Sequence, residues 1–248
     1  MRRVKLFLLG PGGAGKSTLA AHLVSGKFQH DIEWTDGVSV REWNPVCDDY
    51  KPIRVSIWDC GGQDTYLVTH PFFFRRRLAM YAVVCKPSDG GAPGSSVREY
   101  VGAIHSRAPG APIVFISTHA DVAAASAGHE SALQSLVPGG ARHFAVSSRT
   151  GAGMGALTEF LIGQARTLPH AAQRYPRAVR ELESRLTSLL PSESPYGGVL
   201  TVKAVLTVAR SECGAQDDAE VHCIGNLCYS CAFILHLMFY TCKFQNIS

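Results

Sequence analysis

The sequence predicts an α/β fold: a mainly parallel, six-stranded sheet flanked by helices, with a short helical extension on the C-terminal side. Three observations predict it. Short apolar, β-rich runs alternate with helical patterns from residue 4 to about 167. The first of these runs ends directly in a glycine-rich loop that opens a helix. The apolar runs stand between helices, the arrangement of a sheet covered on both faces.

The strand candidates, in order, are Val4–Leu9, Val38–Trp43, Ile53–Trp58, Ala79–Cys85, Pro112–Ser117 and His143–Ser147. Ser17–Val24 reads as the first helix. Further helices fit Ser95–Ser106, Ser126–Leu136 and Met154–Thr167. Pro169 marks a break. Arg174–Leu190 then carries apolar residues near helical spacing, residues 191–198 read as a linker, and Val202–Arg210 as a short helix. The domain reading is therefore 1–168, 169–220 and a cysteine-rich apolar tail, 221–248. No internal repeat of 20–50 residues is evident.

The composition excludes several classes. At 248 residues the chain holds one large domain, or one plus a fragment. A formal charge of +4 is too small to argue for a nucleic acid or an anionic membrane as partner. With 46% hydrophobic and 18% charged residues, the chain can bury a core. Of eight cysteines, five fall in the last 36 residues, which is no secreted disulfide framework. The apolar run after Arg2-Arg3 is too short for a signal peptide. The expectation is a cytoplasmic protein with reduced thiols.

The segment from Gly10 to Ser17 fits G-x-x-x-x-G-K-[ST] in the strand–loop–helix setting that this pattern requires. Glycines 10, 12, 13 and 15, with Ala14, let backbone N–H groups turn inward onto phosphate oxygens. The helix start at Ser17 and Thr18 adds positive dipole character. Lys16 would reach the β- and γ-phosphates, and the Ser17 hydroxyl would ligate Mg²⁺. This signals nucleoside triphosphate binding without naming the base.

Asp59 closes the third apolar run and is followed by Cys60-Gly61-Gly62-Gln63. A carboxylate there can hold Mg²⁺, usually through water, beside the phosphate loop. Gly62 leaves its N–H free for a γ-phosphate, and Gln63 could orient the attacking water. Thr35 lies between the first helix and the next strand. Alone it reads equally well as an ordinary polar loop residue. Its spacing from Lys16 and Asp59 favours a hydroxyl that closes on Mg²⁺.

The run Ile113–Ser117 leads into Thr118-His119-Ala120-Asp121. A buried carboxylate at Asp121 can accept two hydrogen bonds from guanine N1–H and its exocyclic amine, a pair that adenine lacks. Thr118 can bond locally, and the His119 ring can lie against the purine. Ser147-Ser148-Arg149 follow the last strand, where a backbone N–H could meet guanine O6.

Taken together, these residues resemble a Roc domain, the Ras-like P-loop GTPase module of Roco proteins. The phosphate loop, Thr35-Asp36-Gly37-Val38, Trp43, Asp59-x-Gly-Gly-Gln63, Thr69-His70-Pro71-Phe72-Phe73 and Thr118-His119-Ala120-Asp121 carry the resemblance. Thr-His-x-Asp in place of Asn-Lys-x-Asp points to Roc over Ras or Rab. The likeness covers about residues 3–167, and residues 169–220 resemble, more weakly, the start of a COR domain. It implies binding of GTP and GDP, Mg²⁺ dependence, slow hydrolysis and a switch between two states with protein effectors or regulators. The roles it implies are Gln63, Lys16 and Thr35 in catalysis, with Ser17, Thr35 and Asp59 on the metal. The chain carries neither upstream repeats nor a His-Arg-Asp or Asp-Phe-Gly kinase signature, and its COR-like segment is short. No arginine finger can be assigned, so a partner or a homodimer is left to supply one.

Alternatives stay open. The chain could be a non-catalytic nucleotide-binding scaffold, a piece of a larger Roco signalling protein, or a P-loop ATPase or kinase of another type. Val221–Cys242, 22 residues without Asp, Glu, Lys or Arg, is long enough for a membrane tail anchor. Cys223, Cys228, Cys231 and Cys242 raise a zinc reading, although only Cys228-x-x-Cys231 has ligand spacing. The leading reading of the tail is an aberrant, poorly packed COR end. Arg75-Arg76-Arg77 reads as a solvated helix face ahead of a membrane or acidic-partner patch.

Overall fold

The first strand, β1 (Arg2–Leu9), ends in a run, Leu6–Leu9, that is buried on both faces because the strand lies in the middle of the sheet. The structure, a computed structural model, describes residues 2–32, 35, 37–46, 52–62, 79–87, 94–122 and 127–168. The chain divides after Gln173 into two units, and the described residues all belong to the first. That unit continues with α1 (Lys16–Ser25), β2 (Val38–Trp43), β3 (Ile53–Cys60), β4 (Ala79–Cys85) and α2 (Ser95–Arg107). It closes with β5 (Ile113–Ser117), α3 (Ala127–Gln134), β6 (Arg142–Ala145) and α4 (Met154–Thr167).

The strands run in the order β2-β3-β1-β4-β5-β6. Every neighbouring pair is parallel except β2 with β3, which is antiparallel from Val38 opposite Cys60 to Trp43 opposite Val55. The six-stranded, mainly parallel sheet expected from the sequence is therefore the one observed. The chain order reverses direction at β1, and ligands of such sheets bind beyond the carboxyl ends of the strands at that point.

Alternation along the strands feeds two apolar layers. Val4, Leu6 and Leu8 face α1 and α4, where Leu19, Leu23, Leu157 and Leu161 complete one core. The other face carries a transverse aromatic row. Phe7 lies opposite Trp58 on one side and Tyr81 on the other, with ring centroids 5.2 Å away in both cases. The Lys5 ammonium sits 4.2 Å above the Trp58 ring. α2 buries Val97, Tyr100, Val101 and Ile104.

Two elements stop earlier than the sequence suggested. The last strand ends at Ala145, because Ser147 turns its N–H away to Ala152 O, 2.9 Å. α3 ends at Gln134, where i→i−3 bonds from Leu136 and Val137 tighten the chain ahead of Pro138-Gly139-Gly140. Among the described residues no helix is long and apolar enough to cross a membrane. Gln63, the Thr69–Phe73 run, Arg75–Arg77, the COR-like segment and the apolar tail lie outside the described residues.

Candidate functional site

The loop between β1 and α1 occupies the carboxyl end of the central strand. Gly10 has φ 147°, and a Cβ there would lie 2.0 Å from Val84 O, so no other residue lets β1 leave the sheet beside β4. Gly15 caps α1 in the left-handed conformation, with no side chain bonded to the helix start. The first-turn N–H groups are therefore presented outward to an anion. The loop lines a cavity of about 210 Å³ together with Thr35, Cys60, Gly62 and His119.

Lys16 is buried, and its Nζ donates to Gly10 O at 2.7 Å and Pro11 O at 2.8 Å. Burial pushes its ammonium below the usual lysine range, while Asp59 and Cys60 oppose that shift. Burial and then Asp59 push the Cys60 thiol up. Gly62 comes so close that a Cβ would lie 2.4 Å from Gly12 N and 2.6 Å from Lys16 Nζ.

Three side-chain oxygens meet beside this cavity. Thr35 Oγ1 donates to Asp59 Oδ2 at 2.8 Å, and Ser17 Oγ lies 3.0 Å from Thr35 Oγ1. Thr35 gives its single hydrogen to Asp59, so Ser17 is the donor in the second bond. Asp59 is fully buried, and among the described residues its Oδ1 has no hydrogen-bond partner. A buried carboxylate oxygen left bare is costly unless a cation completes it. The bare buried carboxylate oxygen and the two hydroxyls beside it are hard oxygen donors of the kind that Mg²⁺ takes, so the residues present fit the ion.

The strand ends on the β5 side hold the opposite wall. Thr118 is buried and donates through Oγ1 to Ala14 O, 2.7 Å, with a longer contact to Cys85 O, 3.2 Å. It therefore ties β5 to the phosphate loop. His119 Nδ1 lies 2.9 Å from the same Oγ1. With the threonine hydrogen committed to Ala14, Nδ1 carries the histidine proton and Nε2 is left as the acceptor. His119 is exposed, has φ 57° and hangs over Gly15, whose Cβ would meet its Cε1 at 3.3 Å. Burial and Lys86 move its pKa down, against Asp121.

Asp121 departs from expectation. The sequence reading asks for a buried carboxylate, whereas the residue stands at the surface because the chain turns there, Val122 N bonding back to His119 O. Its side chain is nevertheless covered by Arg149, with Nη2 2.5 Å from Oδ2. The Ser147 hydroxyl, first, and Arg149 hold its pKa below the usual carboxylate range. Ser147 is buried, and Ser148 O accepts from His22 Nδ1 at 2.7 Å. Ser147 and Ser148 thus sit beside Asp121 and against α1.

The structure brings Gly10, Gly12, Gly13, Ala14, Gly15, Lys16, Ser17, Thr18, Thr35, Asp59, Gly62, Thr118 and His119 around one end of the sheet. The sequence gives no role to His22, and it offers Arg149 only for its backbone in the Ser147-Ser148-Arg149 turn. A histidine inside a helix and a guanidinium in a turn carry no local signal; only the fold shows their partners.

The sheet order, the loop at its reversal point and the two strand-end carboxylates define a Ras-like P-loop domain. More particularly, residues 5–121 match the family described as "Ras of Complex, Roc, domain of DAPkinase", which bears out the Roc resemblance over that stretch. The Ras-related protein Rab-5B of Plasmodium falciparum (isolate 3D7) is 31% identical over 107 residues, 43% of this chain and 51% of that protein. The probable serine/threonine-protein kinase roco5 of Dictyostelium discoideum is 31% identical over 88 residues, 35% of this chain and 3% of the kinase. The chain thus spans about half the length of the Rab relative and a small part of the kinase. The solved structure of Methanosarcina barkeri Roco2 RocCORdC bound to GDP superposes with a TM-score of 0.70 at 21% identity. It covers 93% of this chain and 67% of that one, a likeness of fold.

Proposed function

We propose that this chain binds GTP and GDP with Mg²⁺, hydrolyses GTP slowly, and serves as a nucleotide-dependent switch in cytoplasmic signalling. The observation that carries the reading is the Ser17–Thr35–Asp59 oxygen cluster, with one bare buried carboxylate oxygen, beside the phosphate loop. Mg²⁺, when bound, neutralises charge developing on the transferred phosphoryl group.

The chain's own residues do the rest. The Gly12–Gly15 backbone and the open start of α1 receive the phosphates. Lys16 exchanges its bonds to Gly10 O and Pro11 O for phosphate oxygens, and that charge-assisted contact relieves its burial. Thr35 moves its hydroxyl from Asp59 to the metal side when the γ-phosphate is present. The Gly62 N–H reports the same phosphate, and Gln63 positions water. Asp121 selects guanine, with the His119 ring against the purine. Residues 169–220 act as the start of a COR-like domain, and effectors, regulators or a second copy engage the switch.

The test measures affinity of the full chain for GTP, GDP and ATP, with and without Mg²⁺. Guanine-selective, Mg²⁺-sensitive binding is expected. Equal affinity for ATP, or no binding, would overturn the reading. If Gln63→Leu leaves turnover unchanged in a chain that binds GTP, the water-positioning role is lost and the scaffold reading takes its place.

A further inference from the structure

The carboxylate that this reading gives to the guanine edge is already engaged. Arg149, in the turn after β6, lies over Asp121 with Nη2 2.5 Å from Oδ2. The Asp121 side chain retains 12% exposure and the Arg149 side chain 62%, so the arginine forms the outer layer and faces water. Ser147 holds the same carboxylate from within. It is buried, its Oγ accepts Thr150 N at 3.2 Å, and its backbone is fixed to Ala152 and Gly151. The inner contact is built in, while the outer one can leave.

A guanidinium presents a carboxylate with parallel N–H donors on one planar edge. Guanine presents N1–H and its 2-amino group in the same way. The geometry points to Arg149 as an affinity-setting residue: an internal mimic of the guanine edge, which a guanine nucleotide must displace from Asp121. The inference rests on the proposed guanine role of Asp121. Apparent affinity then equals the intrinsic affinity scaled by the fraction of molecules in which Asp121 is free. An ion pair this exposed is weakened by salt.

The experiment titrates GDP and ATP into the full chain, Arg149→Ala and Arg149→Lys, at low and high ionic strength. At low salt Arg149→Ala binds GDP about two- to fivefold more tightly than the parent, and ATP affinity does not move. Arg149→Lys, a point charge without the fork, falls between. At high salt the advantage closes. Equal or weaker GDP binding by Arg149→Ala at low salt overturns the inference; weaker binding would mean that the arginine holds the base. Asp121→Asn distinguishes the two levels. If it exchanges guanine preference for xanthine while Arg149→Ala gives no tightening, only the displacement idea falls. If it does not exchange preference, the guanine role and the inference fall together.

Discussion

Gly62→Ala forces apart the two loops that meet over the phosphate site. A Cβ at position 62 would lie 2.4 Å from Gly12 N, 2.5 Å from Pro11 C and 2.6 Å from Lys16 Nζ. Ordinary contact for such an atom starts at 3.4 Å, so the shortest gap is too small by 3.4 − 2.4, or 1.0 Å. The two nearest atoms are backbone and cannot swing aside. Gly62 is not among the glycines with positive φ, so alanine suffers no backbone strain and the sheet is untouched. The whole cost falls on loop approach. A misplacement of about 1 Å in a reacting array costs on the order of 100-fold in rate. Single-turnover GTP hydrolysis by Gly62→Ala is therefore expected to fall about 100-fold, with GTP affinity reduced more than GDP affinity. Because the nearest atoms are backbone, the melt should fall too, by an overpacking cost of about 1–3 kcal/mol. Phosphate release and a melt measure both. Wild-type turnover with a wild-type melt would refute the claim that these two loops form one reacting site.

Three further outcomes follow from buried contacts. Thr118→Val keeps the volume but strands Ala14 O, so urea unfolding should show a loss of about 1–3 kcal/mol, together with faster GDP release; an unshifted midpoint would show that the tether is idle. Chelation of Mg²⁺ should weaken GDP binding by the parent about 5- to 150-fold and do little to Asp59→Asn; an equal response from both would remove Asp59 from the metal site. Burial holds the pKa of His143 below its ordinary 6.5, with Glu130 opposing and His129 assisting. Between that lowered value and 6.5 the unfolded chain binds more protons, so stability is present above 6.5 and declines as pH falls through this window. Melting temperatures from pH 8 to 5 should show this decline, and His143→Gln should flatten it; a parent curve already flat there would contradict the shift.

Much of the fold was readable because its signals are local. Leu6–Leu9, Ala79–Cys85 and Ile113–Ile116 are apolar on both faces, as strands in the middle of a covered sheet must be. The phosphate loop was readable for the same reason: strand, glycines and helix adjoin in the chain. Thr118 was found as a polar strand end, yet its bond to Ala14 spans 104 positions and no pattern encodes it. Asp121 was expected to be buried on the strength of its chemistry; the turn at His119–Val122 brings its backbone to the surface, and Arg149 is what covers the carboxylate. The Arg149 contact and the His22–Ser148 bond depend on where β6 stops, and that end point was read two residues too late.

The Thr118–Ala14 bond has a consequence for synthesis. Gly10–Ser17 leaves the ribosome complete as a motif, but its backbone lacks its brace until residue 118 is made. At roughly 5–20 residues per second, those 104 positions correspond to about 5–20 s. During that interval the nascent chain carries the loop's full chemistry without the geometry to use it. If the chain binds nucleotide as proposed, capture waits for β5 to pair with β4, and a truncated product ending before Ile113 displays the motif without retaining the ligand.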